Sequence, residues 1–211
     1  MPEKLLSLLA PRKGHFCYES GHHGELWLDL AQLSLQPRRL RPFADLLAQR
    51  LAPHRADAVC GPLVGGALLA QMVAQELNLA FYIAEHRVRP SDTGQHVVEY
   101  RIPEAHRSCA RGQRVAVVDD VINAGSAVRA VLADLQACGA QPVALSALLN
   151  LGSPASTLAA NQGLSLDSLD YLPHTLWEPA ACPLCAAGTP LANVAANDQG
   201  DEVIAESEFR L

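Results

Sequence analysis

Lysine is almost missing from this 211-residue chain: only Lys4 and Lys13 carry it, and arginine supplies the rest of the permanent positive charge. There is no basic excess, since the net charge is −6. A general nucleic-acid or membrane-surface binder is more often basic, so those classes are set aside, and an anionic ligand would need a locally built site. No apolar stretch is long enough to cross a bilayer. The opening "MPEKLLSLLAPRKG" has a short apolar patch broken by Ser7 and closed by Pro11, a poor secretory signal. The expected compartment is the cytoplasm, where disulfides are disfavoured and Cys17, Cys60, Cys109, Cys138, Cys182 and Cys185 would be thiols or metal ligands. No internal repeat is visible. With 49% hydrophobic residues the chain can bury one sizeable core with appendages, or two small ones.

What is present alternates between strand and helix patterns. "ADAVCGP" (56–62) reads as a short buried strand ending in a Gly-Pro turn. Leu68, Leu69, Met72, Val73 and Leu77 follow at helical spacing. "LAFYIA" (79–84) and "RVAVV" (114–118) read as further strands. Val128, Val131, Leu132 and Leu135 mark one helix face, with Gly139 as its stop. "PVALSALLN" (142–150) is a fourth strand. Such alternation predicts an α/β fold, a parallel sheet flanked by helices. Between 85 and 111 the apolar period is lost, and the expectation is a long polar loop. The divisions expected are 1–45 as an N-terminal piece with a connecting segment, 46–152 as the core, and 153–211 as an irregular C-terminal extension. The acidic tail at 198–211 has no assigned place.

The most informative stretch is "VAVVDDVINAGSAVRAVLADL" (115–135). Asp119 and Asp120 stand at the carboxyl end of a buried strand, where parallel sheets bind ligands. Adjacent acids repel at neutral pH and need a cation or hydroxyl donors to hold. Asn123, Ala124, Gly125 and Ser126 then open a helix. Small residues let a ligand approach the backbone, and the free N–H groups with the positive end of the helix dipole favour a phosphate. Hydroxyl acceptors beside a phosphate cradle match a ribose phosphate. The plainer reading is a strand–turn–helix with Ser126 as a cap and two solvated acids; the order of the whole segment favours the ligand.

"VAVVDDVINAGSA" resembles the signature of the type I phosphoribosyltransferases, and "DDVINAGSA" is most similar to the orotate phosphoribosyltransferases. The resemblance implies that Asp119 and Asp120 hold the ribose hydroxyls of PRPP (5-phosphoribosyl 1-diphosphate), and that Asn123, Ala124, Gly125, Ser126 and Ala127 wrap its 5-phosphate. "GPLVGGALLA" (61–70) resembles the family's pyrophosphate-contacting stretch, which adds Pro62, Leu63, Val64 and Gly65. "GHFCYESGHHGELWLDL" (14–30) resembles the segment that forms a hood over the base in the orotate enzymes, pointing to Ser20, Gly21 and Trp27. The implied reaction transfers ribose 5-phosphate from PRPP to a nucleobase and releases pyrophosphate. Mg²⁺ carried with PRPP and a homodimer are implied with it.

The chain departs from the pattern in three places. The orotate enzymes have a lysine-rich mobile loop; the matching region here has Arg87 and Arg89 as candidate catalytic cations, with His86 or His96 as a proton carrier. At the end of the fourth strand, Asn150 and Leu151 replace an acid and the arginine that faces the orotate carboxylate; Asn150 is thus the base-side candidate. Glu19 replaces a lysine in the hood segment. These departures keep two alternatives open: a non-catalytic PRPP-binding regulator, and a purine or other-base phosphoribosyltransferase on the same framework.

"CPLC" places Cys182 and Cys185 at a spacing that suits two of the four ligands of a Zn²⁺ site. His174 or a second pair across a dimer axis would have to complete it; otherwise the two are turn thiols. His22 and His23 either touch the ligand or form an ordinary surface or core-edge pair.

Overall fold

The computed structural model describes residues 5–18, 20–90 and 96–192. Glu19 and the acidic tail at 198–211 lie outside the described residues. In chain order the elements are α1 (Leu5–Leu8), β1 (Arg12–Cys17), β2 (His23–Trp27), α2 (Ala31–Leu35), α3 (Pro37–Leu51), β3 (Ala58–Pro62), α4 (Gly65–Leu77), β4 (Ala80–Pro90) and β5 (His96–Arg101). They continue with α5 (Glu104–Ala110), β6 (Arg114–Ile122), α6 (Ser126–Ala137), β7 (Gln141–Leu151), α7 (Pro154–Gln162), β8 (Ser165–Leu172) and α8 (Pro183–Ala186). The chain divides into two compact units: residues up to Gln36 together with those from Pro173 onward, and Pro37–Leu172.

The Pro37–Leu172 unit is built on a six-stranded sheet in the order β5-β4-β3-β6-β7-β8. Every neighbouring pair is parallel except β4 with β5. The inner strands read as near-continuous Val, Ala and Leu because both faces are covered. Ala58, Cys60, Val115, Val117 and Leu145 pack with Val128, Val131, Leu132 and Leu135 of α6 and with Ala155, Leu158 and Ala159 of α7. The alternating set, including Val59, Ala116 and Val118, is also fully buried and points to the opposite face. There α4, paired with α3, packs on β3 and β6. Its buried residues are Gly66, Ala67, Leu69, Ala70, Val73 and Ala74. Leu68, expected on the packed face, is 39% exposed, because the small residues of α4 let the helix settle on a neighbouring stripe.

The expected polar loop at 85–111 is instead the end of β4, then β5 and α5. Strands β4 and β5 form a ribbon in which Glu85 faces Arg101 and Arg87 faces Glu99. Opposed charges stabilise such a pair without any apolar period, so the pattern that marks half-buried strands is absent. The alternation also runs on past Gly152. Helix α7 begins with Pro154 and ends at Gly163, and β8 pairs in parallel with β7 from Ala144↔Ser165 to Leu151↔Leu172. Its sequence, "SLDSLDYL", is polar because it is an edge strand. Ser146 Oγ donates to the Asp167 carbonyl at 2.8 Å, and the Asp167 carboxylate meets His54 Nε2 at 2.7 Å.

The other unit contains the antiparallel pair β1–β2. An isolated bridge joins His23 and Trp177, with N–H···O distances of 2.8 and 2.9 Å. Among the described residues no helix is long and apolar enough to cross a membrane.

Asp134 on α6 anchors the turn after β5. Its Oδ1 and Oδ2 accept from Arg107 Nη1 at 3.0 and 2.9 Å, and Oδ2 also accepts the Ile102 N–H at 2.7 Å. The carboxylate is only 10% exposed, so removing it strands a cation and a backbone donor. Asp134→Ala is expected to lower unfolding free energy by about 2–4 kcal/mol. Glu104→Ala, which removes an exposed partner of the same arginine, should cost less than about 0.5 kcal/mol. Urea unfolding of both variants measures the contrast.

Candidate active site

From β3 the chain winds outward to β4, and from β6 it winds the other way to β7. The point of reversal between β3 and β6 is where open parallel sheets place their ligands, beyond the strands' carboxyl ends. The β3–β6 ladder stops at Cys60↔Val117, whereas β6 stays paired with β7 as far as Ile122↔Asn150. Asp119 and Asp120 therefore stand where β6 has no ladder partner on the β3 side.

Both aspartates are 7% exposed. Asp119 Oδ1 accepts the Asp120 N–H at 3.0 Å, and Asp120 Oδ1 accepts the Val121 N–H at 2.7 Å. Burial pushes the Asp120 carboxyl above the usual carboxylate range, and the backbone hydrogen bonds only partly oppose it. The carboxylates press against the start of α4. A Cβ on Gly65 would lie 1.9 Å from Asp120 Oδ2, and one on Gly66 would lie 2.4 Å from Asp119 Oδ1. Only glycine allows this approach, and the positive end of the α4 dipole then faces the acids.

Two loops border the pair. After β3, Pro62 is buried while Leu63 and Val64 are exposed, and the Leu63–Val64 peptide is cis. After β6, Asn123 and Ala124 lead to Gly125, which caps α6 at φ +75°. No side chain caps this helix, and its first internal bond runs from the Arg129 N–H to the Gly125 carbonyl at 3.0 Å. The N–H groups of Ser126, Ala127 and Val128 thus have no partner within the helix. Ser126 is the first helical residue and is exposed, not a cap, and the acids are not solvated; the plainer reading of this segment fails on both points.

Asn123 Oδ1 and Asn150 Oδ1 are buried without a hydrogen-bond partner among the described residues. Asn150 neighbours Ile122 across the β6–β7 ladder, and its Nδ2 reaches Ser156 Oγ at 3.5 Å. Two orphaned acceptors at one end of the sheet are costly in a folded protein unless a ligand uses them.

Asp119, Asp120, the 62–65 and 123–127 loops and Asn150 thus belong to one unit. Ser20, Gly21 and Trp27 belong to the other. Gly21, at φ +82°, turns the chain between β1 and β2, Ser20 Oγ meets His22 Nδ1 at 3.2 Å, and Trp27 packs on Phe16 with ring centroids 5.8 Å apart. Arg87 is exposed on β4 and ion-paired with Glu85 at 2.9 Å. His86 stacks edge-on to Tyr100 at 5.3 Å. The side chains of Arg89 and His96 lie outside the described residues. His174, expected as a companion of Cys182 and Cys185, instead meets Tyr18 Oη at 3.2 Å, and burial lowers its pKa. Gly66 is the site residue that sequence reasoning missed; the doublet Gly65-Gly66 at a helix start was its only signal.

The phosphoribosyl transferase domain family matches residues 30–162. An orotate phosphoribosyltransferase of Caldanaerobacter subterraneus subsp. tengcongensis is 28% identical over 179 residues, covering 85% of this chain and 87% of the relative. One from Thermotoga maritima is 28% identical over 180 residues, covering 84% and 88%. The crystal structure of orotate phosphoribosyltransferase from Aeropyrum pernix superposes with a TM-score of 0.60 at 28% identity, covering 80% of this chain and 94% of that one.

The buried Asp120 carboxylate makes a signed prediction. A raised folded-state pKa means that ionised Asp120 destabilises the fold at neutral pH. Asp120→Asn is expected to raise the melting temperature at pH 7. That gain should shrink as pH falls through the raised folded-state value toward the unfolded value of about 3.9. Thermal melts of both proteins across this range measure it; an equal or lower melting temperature for the variant at pH 7 contradicts it.

Proposed function

The chain belongs to the phosphoribosyltransferase family, and from that premise we propose that it is a PRPP-dependent pentosyltransferase of the orotate phosphoribosyltransferase kind. It would move ribose 5-phosphate from PRPP to a ring nitrogen of a nucleobase and release pyrophosphate. The carrying observation is the buried Asp119–Asp120 pair set directly before an uncapped helix start.

The chemistry follows from those groups. The N–H groups of Ser126, Ala127 and Val128, which have no partner within α6, donate to the 5-phosphate, and Ala124 and Gly125 leave room for it to approach. The carboxylates of Asp119 and Asp120 accept the ribose hydroxyls. As the bond at C1 loosens, positive charge grows on the ribose ring, and two fixed carboxylates in a poorly solvated site stabilise it more than the ground state. The 62–65 loop faces the departing pyrophosphate, with Arg87 and Arg89 as the cations that receive it. Burial of two acids side by side suits a site that takes up a divalent cation with its substrate, and such hard oxygen donors fit Mg²⁺. When bound with PRPP, Mg²⁺ would neutralise pyrophosphate; Asp119 and Asp120 are the residues that would lie nearest it.

A homodimer is part of this reading. Leu63, Val64 and Leu68 leave 38%, 64% and 39% of their surface exposed around the start of α4, which supports a second copy there. The cytoplasm is the compartment it assigns, in keeping with six free cysteines.

The base is a separate question. Asn150 and Leu151 stand where the orotate enzymes resemble an Asp-Arg pair, and Asn150 is neutral. Whichever way its amide is turned, one polar end faces Ser156 and the other has no hydrogen-bond partner among the described residues. That free end can bond a base edge but brings no positive charge to meet a carboxylate, which supports the reading of another base on the same framework. A PRPP-binding regulator without turnover is the remaining one.

Pyrophosphate release from PRPP and Mg²⁺ with orotate, uracil, adenine, guanine and hypoxanthine separates the three. Turnover is expected with one base. Asp120→Asn should reduce kcat by about 10²-fold or more while the protein stays folded. PRPP binding without release for any base would leave the regulator, and wild-type turnover in Asp120→Asn would remove the aspartates from the mechanism.

A further inference from the structure

Four side chains of the first unit converge on one point: His15 and His23 from the β1–β2 pair, and Cys182 and Cys185 from the turn of α8. Their ligand atoms all lie within 4.8 Å of one another. The two imidazoles approach at 3.0 Å, Nε2 of His15 to Nδ1 of His23. Cys182 Sγ lies 3.4 Å from His15 Nε2, and Cys185 Sγ lies 3.7 Å from His15 Nε2 and 3.3 Å from His23 Nδ1. His15, His23 and Cys182 are 2%, 7% and 2% exposed.

Hydrogen bonding alone does not account for this arrangement. His15 Nδ1 sits 2.7 Å from the Thr189 carbonyl, which can only accept, so Nδ1 carries the proton and Nε2 presents one lone pair. Three polar atoms crowd that single lone pair, and a neutral imidazole can satisfy only one of them. Among the described residues no carboxylate belongs to the cluster. A cation at the centre resolves the crowding, since all four groups then donate lone pairs inward. The dimensions fit one metal: with Zn–S near 2.3 Å and Zn–N near 2.0–2.1 Å, a tetrahedron has edges of about 3.3 Å for N–N, 3.6 Å for N–S and 3.8 Å for S–S. The His–His separation of 3.0 Å is slightly shorter than the first, three His–Cys separations of 3.3–3.7 Å match the second, and all four ligand atoms lie within 4.8 Å of one another. The Thr189 carbonyl fixes the tautomer and ring of His15, the second contact that metal-bound histidines usually make.

We propose that this quartet is a structural Zn²⁺ site of the Cys₂His₂ type. Four protein ligands leave no position for water or substrate, so the metal holds the fold and performs no chemistry. What it holds is the two ends of the chain. His15 and Cys185 are 170 positions apart, and a cross-link closing so long a loop removes much of the freedom of the unfolded chain. It reinforces the weak backbone links already there, the His23–Trp177 bridge and the Ala192 N–H to His15 carbonyl bond at 2.7 Å.

The test uses the full chain purified without chelator. One zinc per chain is expected by mass spectrometry of the metal. Apoprotein given Co²⁺ should show the intense visible bands of a tetrahedral site and a thiolate-to-cobalt charge-transfer band. Cys185→Ser and His15→Ala should lose most of the metal, and chelator should lower the melting temperature and expose both thiols to a disulfide reagent. The cobalt spectrum of the wild type needs no variant and so survives one that misfolds. Folded wild-type protein with little zinc and no tetrahedral cobalt spectrum overturns the proposal, as does a Cys182→Ser/Cys185→Ser variant that keeps its zinc. Neither outcome depends on which base, if any, the phosphoribosyl site accepts.

Discussion

The cost of burying Asp119 and Asp120 governs the organisation of the large unit. Two adjacent carboxylates at 7% exposure are tolerated because the structure accommodates them in three ways. Strand β6 outlasts its ladder with β3, backbone N–H groups of β6 itself satisfy part of each acid, and Gly65 with Gly66 gives up side-chain volume so that α4 can present its start. Alanine at either glycine would put a methyl group inside a carboxylate. A fold optimised for stability alone would place apolar residues here. Acids held in this way are pre-organised for a ligand that brings hydroxyls or a cation, which is the usual exchange of stability for function.

An acidic chain with two lysines is an odd host for an anionic sugar phosphate. The proposed site would answer with dipoles in place of ammonium groups. Uncapped N–H groups at α6 and the front of α4 supply fixed partial positive charge without any net basic patch. Arg87, tied to Glu85 on the β4–β5 ribbon, is held at the surface by a pair worth little in solvent, which is compatible with the role proposed for it.

The two units solve their stability problems differently. The Pro37–Leu172 unit has a sheet buried on both faces and a continuous apolar cluster. The unit formed by residues up to Gln36 and from Pro173 onward has, among the described residues, one two-stranded pair and three short helices, with Leu9 and Phe16 at its buried centre. A metal cross-link is the economical remedy for a small module, because binding energy is then folding energy.

Much of the large unit was legible in the linear sequence. Residues 114–137 carry the strand, the acids, the small-residue turn and the helix consecutively, so a local pattern encodes a local arrangement. The same holds for β3 with α4 and for β7, where burial on both faces leaves an uninterrupted apolar run. The β4–β5 ribbon and β8 were not legible, because alternating charges along β4 and β5 and the edge position of β8 remove the apolar period on which such readings rest. Gly66 looked like ordinary turn glycine until Asp119 was seen against it. The sequence by itself determined the parallel α/β core and the acid–turn–helix segment at 119–137, since both depend on neighbours a few residues apart. Tertiary structure alone decided that His15 and His23 join Cys182 and Cys185: their meeting depends on chain closure over more than 160 residues, and no short-range periodicity carries that information.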